Sequence, residues 1–194
     1  KWSKESFAGF NSNIKVFEDR FMVVDFDNTI RCFSINSGEE IWNFQTDNPF
    51  IKSQKKMSLI IKGELVFFTN SIGDVTALNN TNGSLFWQTP TQSSVIYYDA
   101  FSLENSDLVF ANNSIYFSNN RNEFFSIDAR NGVINWKQNI NSNLIPTITE
   151  KFVFSVSNEG YLFVIDNQKG DVIRITNLLK DIENNKEMLQ PAGF

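Results

Sequence analysis

Gly132-Val-Ile-Asn-Trp136, read together with Phe124-Phe-Ser-Ile-Asp128 just before it, decides the fold of this chain, because the pair recurs. Gly38-Glu-Glu-Ile-Trp42 and Gly83-Ser-Leu-Phe-Trp87 repeat the Gly-x-x-x-Trp spacing, each after a short β-type run, Phe33-Ser-Ile-Asn36 and Thr76-Ala-Leu-Asn79. A fourth run, Phe163-Val-Ile-Asp166, leads into Gly170-Asp-Val-Ile-Arg174, where Arg replaces Trp. The marker glycines stand 45, 49 and 38 residues apart. A period of that size belongs to propeller blades or solenoid turns and is settled before any local element is assigned.

Composition agrees with a β-rich repeat. With 41% hydrophobic and 14% aromatic residues, the chain has the apolar matter to fill a core. Its twenty Phe with many Val, Ile, Asn and Ser favour short strands joined by polar turns. A net charge of -5 would repel a phosphate backbone, so nucleic acid is not an expected partner. The absence of His and the single Cys32 remove the usual neutral-pH base and the commonest transition-metal ligands, so neither a metal site nor a cofactor is expected. Lys52 to Lys56 reads as a solvated loop, and no run approaches the length of a membrane-spanning helix.

Outward from the markers, the chain divides into four units of four short strands over residues 14–45, 57–89, 107–138 and 146–176. Asp27-Asn28, Asn36-Ser37-Gly38 and Lys62-Gly63 are hairpin signals, so each unit reads as an antiparallel meander. The enlarged connection Pro90 to Asn105 carries Tyr97, Tyr98 and Phe101, three aromatics on an insertion that the repeat does not need; they are the candidate partner-binding residues, the alternative being that they pack back over blades two and three. Residues 177–194 lose the strand period and read as a loop or short helix leading towards a further unit. The role of Trp2 stays undecided. No linker interrupts the units, so residues 1–194 are expected to form one partial propeller domain.

A small twisted four-stranded sheet cannot bury both faces alone, and packing face to face around an axis is the propeller solution. Trp42, Trp87 and Trp136 are expected to lie across the contact to the next blade, each indole N–H finding a carbonyl there. Gly38, Gly83, Gly132 and Gly170 supply turns with φ > 0. Asp128 and Asp166, matched with Asn36 and Asn79, read as turn caps recurring once per blade, and Cys32 reads as a core residue level with Val75, Phe124 and Leu162. Four blades do not close a ring, so the chain is expected either to be part of a longer propeller or to self-associate through its terminal blades, with Phe10, Ile14, Val16 and the Ile173–Ile175 strand as contacts.

The recurrent small-Leu/Ile-Asp/Asn, turn, Gly-x-x-x-Trp pattern over Ile14 to Thr176 resembles the tryptophan-docking repeat of the quinoprotein-like (PQQ-like) β-propellers, whose complete members have seven or eight blades. Within them, the short units and the Gly170-Asp-Val-Ile-Arg-Ile-Thr-Asn177 segment are similar to the BamB family of outer-membrane protein assembly factors. The resemblance implies a non-enzymatic scaffold on the periplasmic side of the outer membrane, whose partner is a component of β-barrel protein assembly. The alternative within the same superfamily is a fragment of a quinone-dependent dehydrogenase-like or carbohydrate-binding propeller. Oxidising members hold their quinone with a metal, an Asp base and, in several, an adjacent Cys pair; the candidate carboxylates here are Asp25, Asp27, Asp99, Asp128 and Asp166, and this chain has one Cys.

Overall fold

The structure, a computed structural model, describes residues 2–3, 5, 8–48, 53–91, 102–180 and 191–192. Short runs with apolar side chains on both faces, such as Leu65–Thr69 and Glu123–Asp128, separated by polar turns, form four four-stranded antiparallel sheets among the described residues, the blades. Blade one holds β1 (Lys15–Phe17), β2 (Arg20–Val24), β3 (Thr29–Ser34) and β4 (Glu40–Gln45). Blade two holds β5 (Leu59–Lys62), β6 (Leu65–Thr69), β7 (Val75–Asn79) and β8 (Leu85–Thr89). Blade three holds β9 (Val109–Ala111), β10 (Ser114–Asn119), β11 (Glu123–Asp128) and β12 (Ile134–Gln138). Blade four holds β13 (Thr147–Ile148), β14 (Phe152–Val156), β15 (Tyr161–Asp166) and β16 (Val172–Asn177). Within each sheet the strands lie side by side in chain order, the all-β blade architecture expected from the sequence.

Contacts divide the chain into two compact units, Lys1–Leu103 with blades one and two and Glu104–Phe194 with blades three and four. In the first, Met22, Val24, Ile30, Cys32 and Trp42 of blade one share a core with Met57, Leu59, Val66, Phe68 and Leu78 of blade two. In the second, Tyr116, Phe124 and Trp136 of blade three and the following Ile140 pack with Val153 and Ile165 of blade four. Each fully buried side chain of this kind contributes about 1.5–3 kcal/mol, which explains why a sheet with two apolar faces does not stand alone.

The β2–β3 turn and its counterparts are held by one side chain each. Asp25 Oδ1 accepts the backbone N–H groups of Asp27 and Thr29, and Asn70 Oδ1 accepts those of Ile72 and Asp74. Asn119 Oδ1 takes the Arg121 N–H, and Ser157 Oγ takes that of Tyr161. Every blade also carries a β-bulge between its third and fourth strands, directly before the Trp position. The extra residue is Ile41, Phe86, Asn135 or Ile173, and such a bulge redirects its side chain.

Two registers differ from the sequence reading. The marker glycine donates its N–H to the carbonyl four residues earlier, which is Asn79, Asp128 and Asp166 in blades two to four and Ser34 in blade one. The counterpart of Asn79 is therefore Ser34, whose Oγ accepts the Ser37 N–H, and not Asn36. Cys32 pairs with Trp42 as Ala77 does with Trp87, Ser126 with Trp136 and Val164 with Arg174, so it sits two residues on from the level of Val75, Phe124 and Leu162. The three residues paired with a Trp are small. The bulkier Val occurs only where the ring is missing.

Candidate functional site

Trp42 is 8% exposed, and its Nε1–H donates to the carbonyl of Asn80 in blade two at 3.1 Å. A Cβ on Gly83 would lie 2.6 Å from its ring. Trp136 repeats this on blade four: Nε1–H donates to Asn167 O at 3.0 Å, and a Cβ on Gly170 would meet the Trp136 Cγ at 2.5 Å. Its other neighbours are Phe124, stacked at 5.6 Å, and Tyr116, tilted at 6.0 Å. Trp87 is equally buried, opposite Ala77 and tilted against Phe67 at 5.8 Å. Gly38, Gly83, Gly132 and Gly170 all have positive φ, from 72° to 78°.

Sequence reasoning missed a further member of this set. The Trp2 Nε1–H donates to Ile35 O at 2.8 Å, and a Cβ on Gly38 would lie 2.5 Å from the Trp2 ring. Ile35, Asn80 and Asn167 each stand three residues before the glycine, so Trp2 takes on blade one the seat that Trp42 takes on blade two and Trp136 on blade four. The signal that could have found it is distance along the chain. Trp2 precedes Gly38 by 36 positions, between the 34 of Trp136 to Gly170 and the 41 of Trp42 to Gly83. At the opposite end Arg174 is exposed, and Leu179 covers Gly160 while the Leu178 N–H donates to Gly160 O.

Of the candidate carboxylates, Asp25, Asp128 and Asp166 are tied into local structure. Asp25 has no exposed side-chain surface and binds Arg31 Nε at 3.0 Å in addition to its two turn N–H groups, while Arg31 Nη1 reaches Glu40 at 2.9 Å. Asp128 caps the Arg130 N–H and pairs with its guanidinium at 2.6 Å, which holds the carboxyl below its usual range. Asp166 Oδ1 accepts the N–H groups of Gln168 and Lys169. A carboxylate whose oxygens are committed in this way is poorly placed to remove a substrate proton. Cys32 is buried, and desolvation pushes its thiol up to about 11, away from the reactive thiolate. Among the described residues no group of three or more His, Cys, Asp or Glu could hold a metal ion. Asp99, Tyr97, Tyr98 and Phe101 lie outside the described residues, as does most of 177–194.

Asp74 is the carboxylate under strain. It is buried, and desolvation raises its pKa against weak support from the Thr91 N–H and the Gln88 amide, both at 3.4 Å. With the folded pKa above the unfolded one, burial destabilises the ionised form, fully above the folded pKa and no longer below the unfolded value. Asp74→Asn, which keeps an acceptor oxygen, is therefore expected to raise the melting temperature near neutral pH. The gain should shrink as pH falls through the carboxylate range, and thermal scans across that range measure it.

With the geometry in place, comparison with known proteins gives a consistent result. The model of the family described as outer membrane protein assembly factor BamB matches residues 1–176. The outer membrane protein assembly factor BamB of Legionella pneumophila (strain Paris) is 22% identical over 117 residues, covering 59% of this chain and 28% of the relative. Among solved structures, BamB from Moraxella catarrhalis superposes with a TM-score of 0.71 at 15% identity, over 90% of this chain and 51% of that one. A europium-containing methanol dehydrogenase superposes with a TM-score of 0.68 at 11% identity, over 91% and 44%. At these identities the solved structures share a fold with the chain, which spans about half of their length and a smaller part of the Legionella protein.

Proposed function

The chain belongs to the family described as outer membrane protein assembly factor BamB, and from that membership we propose that it is a non-enzymatic, protein-binding scaffold in the assembly of outer-membrane β-barrel proteins, acting on the periplasmic side of that membrane. The observation that carries this reading is the family match itself, which takes in all four blades. The site chemistry supports it. Within each unit an indole–glycine seam ties one blade to the next, and Asp25 and Asp166 are used in turns. On such blades, recognition falls to the connections between strands and blades. Within them, Tyr97, Tyr98 and Phe101 are our choice of partner-binding aromatics, from the sequence of the Pro90 to Asn105 connection.

Affinity capture tests the reading. The protein as its gene encodes it, tagged and recovered from detergent-solubilised envelopes of its own organism, is expected to bring down a β-barrel assembly component. Tyr97→Ala/Tyr98→Ala should weaken the capture without lowering the melting temperature. Capture of no such component, or visible absorbance changes on adding a quinone with Ca²⁺, would count against a scaffold.

A second expectation concerns the apolar residues left exposed. Phe10, Ile14 and Val16 in the first unit and Ile173 and Ile175 in the second are 45–65% exposed. Such surface is covered in a propeller by a further blade, either of the same polypeptide or of a second copy. The 194-residue chain alone is expected to self-associate in sedimentation, and Ile173→Lys/Ile175→Lys to shift it towards monomer. A parent chain that stays monomeric at high concentration removes the self-association.

A further inference from the structure

Between blades three and four the fold leaves a cleft lined almost wholly by polar side chains. Its volume is about 520 Å³, within the roughly 300–1,000 Å³ of small-molecule sites. Ser114, Tyr116 and Asn167 form a buried floor, and Asn112, Asn135, Glu150 and Gln168 an exposed rim. Strand register identifies which positions of the repeat these are. Ser114 lies opposite Asp128 as Arg20 lies opposite Ser34, Leu65 opposite Asn79 and Phe152 opposite Asp166. Tyr116 lies opposite Ser126 as Met22 lies opposite Cys32, Phe67 opposite Ala77 and Phe154 opposite Val164. Asn135 is the extra residue of its bulge, where the other blades have Ile41, Phe86 and Ile173.

At three corresponding positions, then, blade three alone has a serine, a tyrosine and an asparagine. In the first seam Arg20 extends from the Ser114 position to donate from Nη1 to Thr81 O at 3.3 Å. In blade three the serine stops short, and the space above it stays open.

The floor is already organised. The Tyr116 hydroxyl donates to Asn167 Oδ1, and Asn167 Nδ2 donates to Thr149 O at 2.9 Å and Glu150 O at 3.3 Å. Asn135 Nδ2 donates to Ser114 Oγ at 3.1 Å and Ser126 Oγ at 3.2 Å, and Asn112 Nδ2 to Thr149 O at 3.1 Å. These bonds fix the side chains and leave the Asn112 and Asn135 amide oxygens, the Gln168 amide and the Glu150 carboxylate to meet a ligand. Acceptors interspersed with an amide donor suit hydroxyl groups, which donate and accept at once. The lining has no Lys or Arg to hold an anion, and an apolar ligand would strand its polar groups.

We propose that this cleft is a binding site for a neutral, polyhydroxylated ligand, a sugar residue. It is independent of the scaffold function and would add glycan recognition to it. Titrations of the ¹⁵N-labelled chain with glucose, N-acetylglucosamine and the N-acetylglucosamine tetramer, followed through side-chain amide resonances, test it. At least one sugar should shift the Asn112, Asn135 and Gln168 amides with saturation, and tighter binding of the tetramer than of the monomer would identify a unit of a longer glycan as the natural form.

Asn135→Ile copies the residue of blades one and four at an exposed position, so the fold should survive it. Its titration should be weakened by at least about tenfold. Ser114→Arg, copying blade one, should fill the cleft with the same result. No shift with any of the sugars, equal binding by Asn135→Ile, or a shift only with the peptide Gly-Gly-Ser would overturn the assignment.

Discussion

Trp42→Ala is expected to destabilise the chain by about 3–5 kcal/mol, the range for deleting a large buried aromatic side chain, and to lower its melting temperature by roughly 10 °C. Three losses combine. The ring is 8% exposed and belongs to the core shared by blades one and two, so its removal leaves a cavity at the seam. The Asn80 carbonyl loses its indole donor. Gly83, whose conformation keeps the turn clear of the ring, is left facing empty space. Trp136→Ala should behave alike on Asn167 and Gly170. A fall of only a degree or two in calorimetry for both variants would mean that the indoles do not hold the seams.

Gly170→Ala is expected to cost about 2–5 kcal/mol, an unusually large effect for one methyl group. Its φ of +78° already disfavours an L-residue by about 1–2 kcal/mol. The added Cβ would stand 2.5 Å from Trp136 Cγ and 2.7 Å from its Cβ, atoms next to the backbone that cannot swing away, and overpacking of this kind adds about 1–3 kcal/mol. Gly63→Ala separates the two terms. Gly63 has a φ of +58° and no atom within 4 Å of the Cβ position, so it should lose only the conformational part. Equal losses in urea denaturation would show that the Trp136 contact contributes nothing.

The difference between these glycines explains what the sequence could reveal. A turn that must clear an indole needs glycine, as at Gly38, Gly83 and Gly170, so the requirement recurs along the chain and reads through as Gly-x-x-x-Trp. Strand existence was legible from short apolar runs bounded by polar turns, such as Val66, Phe67 and Phe68 or Phe124 and Phe125, whose residues are buried on both faces of the sheet. Registers were less so. Asn36 resembled a cap because Asn is a common turn residue, yet the cap is fixed by the glycine N–H reaching back four residues, and that residue is Ser34. Trp2 escaped notice because its seat is formed by the unit that follows it rather than by residues beside it. The cleft was invisible for a different reason. It depends on Ser114, Asn135 and Asn167 meeting across two blades, where no local pattern links them.

We propose that these docked blades serve outer-membrane protein assembly. The measurement that bears on it most directly is quantitative proteomics of the outer membrane in the encoding organism after deletion of the gene, with complementation by the wild-type protein or by its Trp136→Ala variant. The β-barrel proteins are expected to fall as a group in the deletion, to return with the wild type and to return incompletely with the seam variant. A barrel content unchanged by the deletion would contradict the proposal.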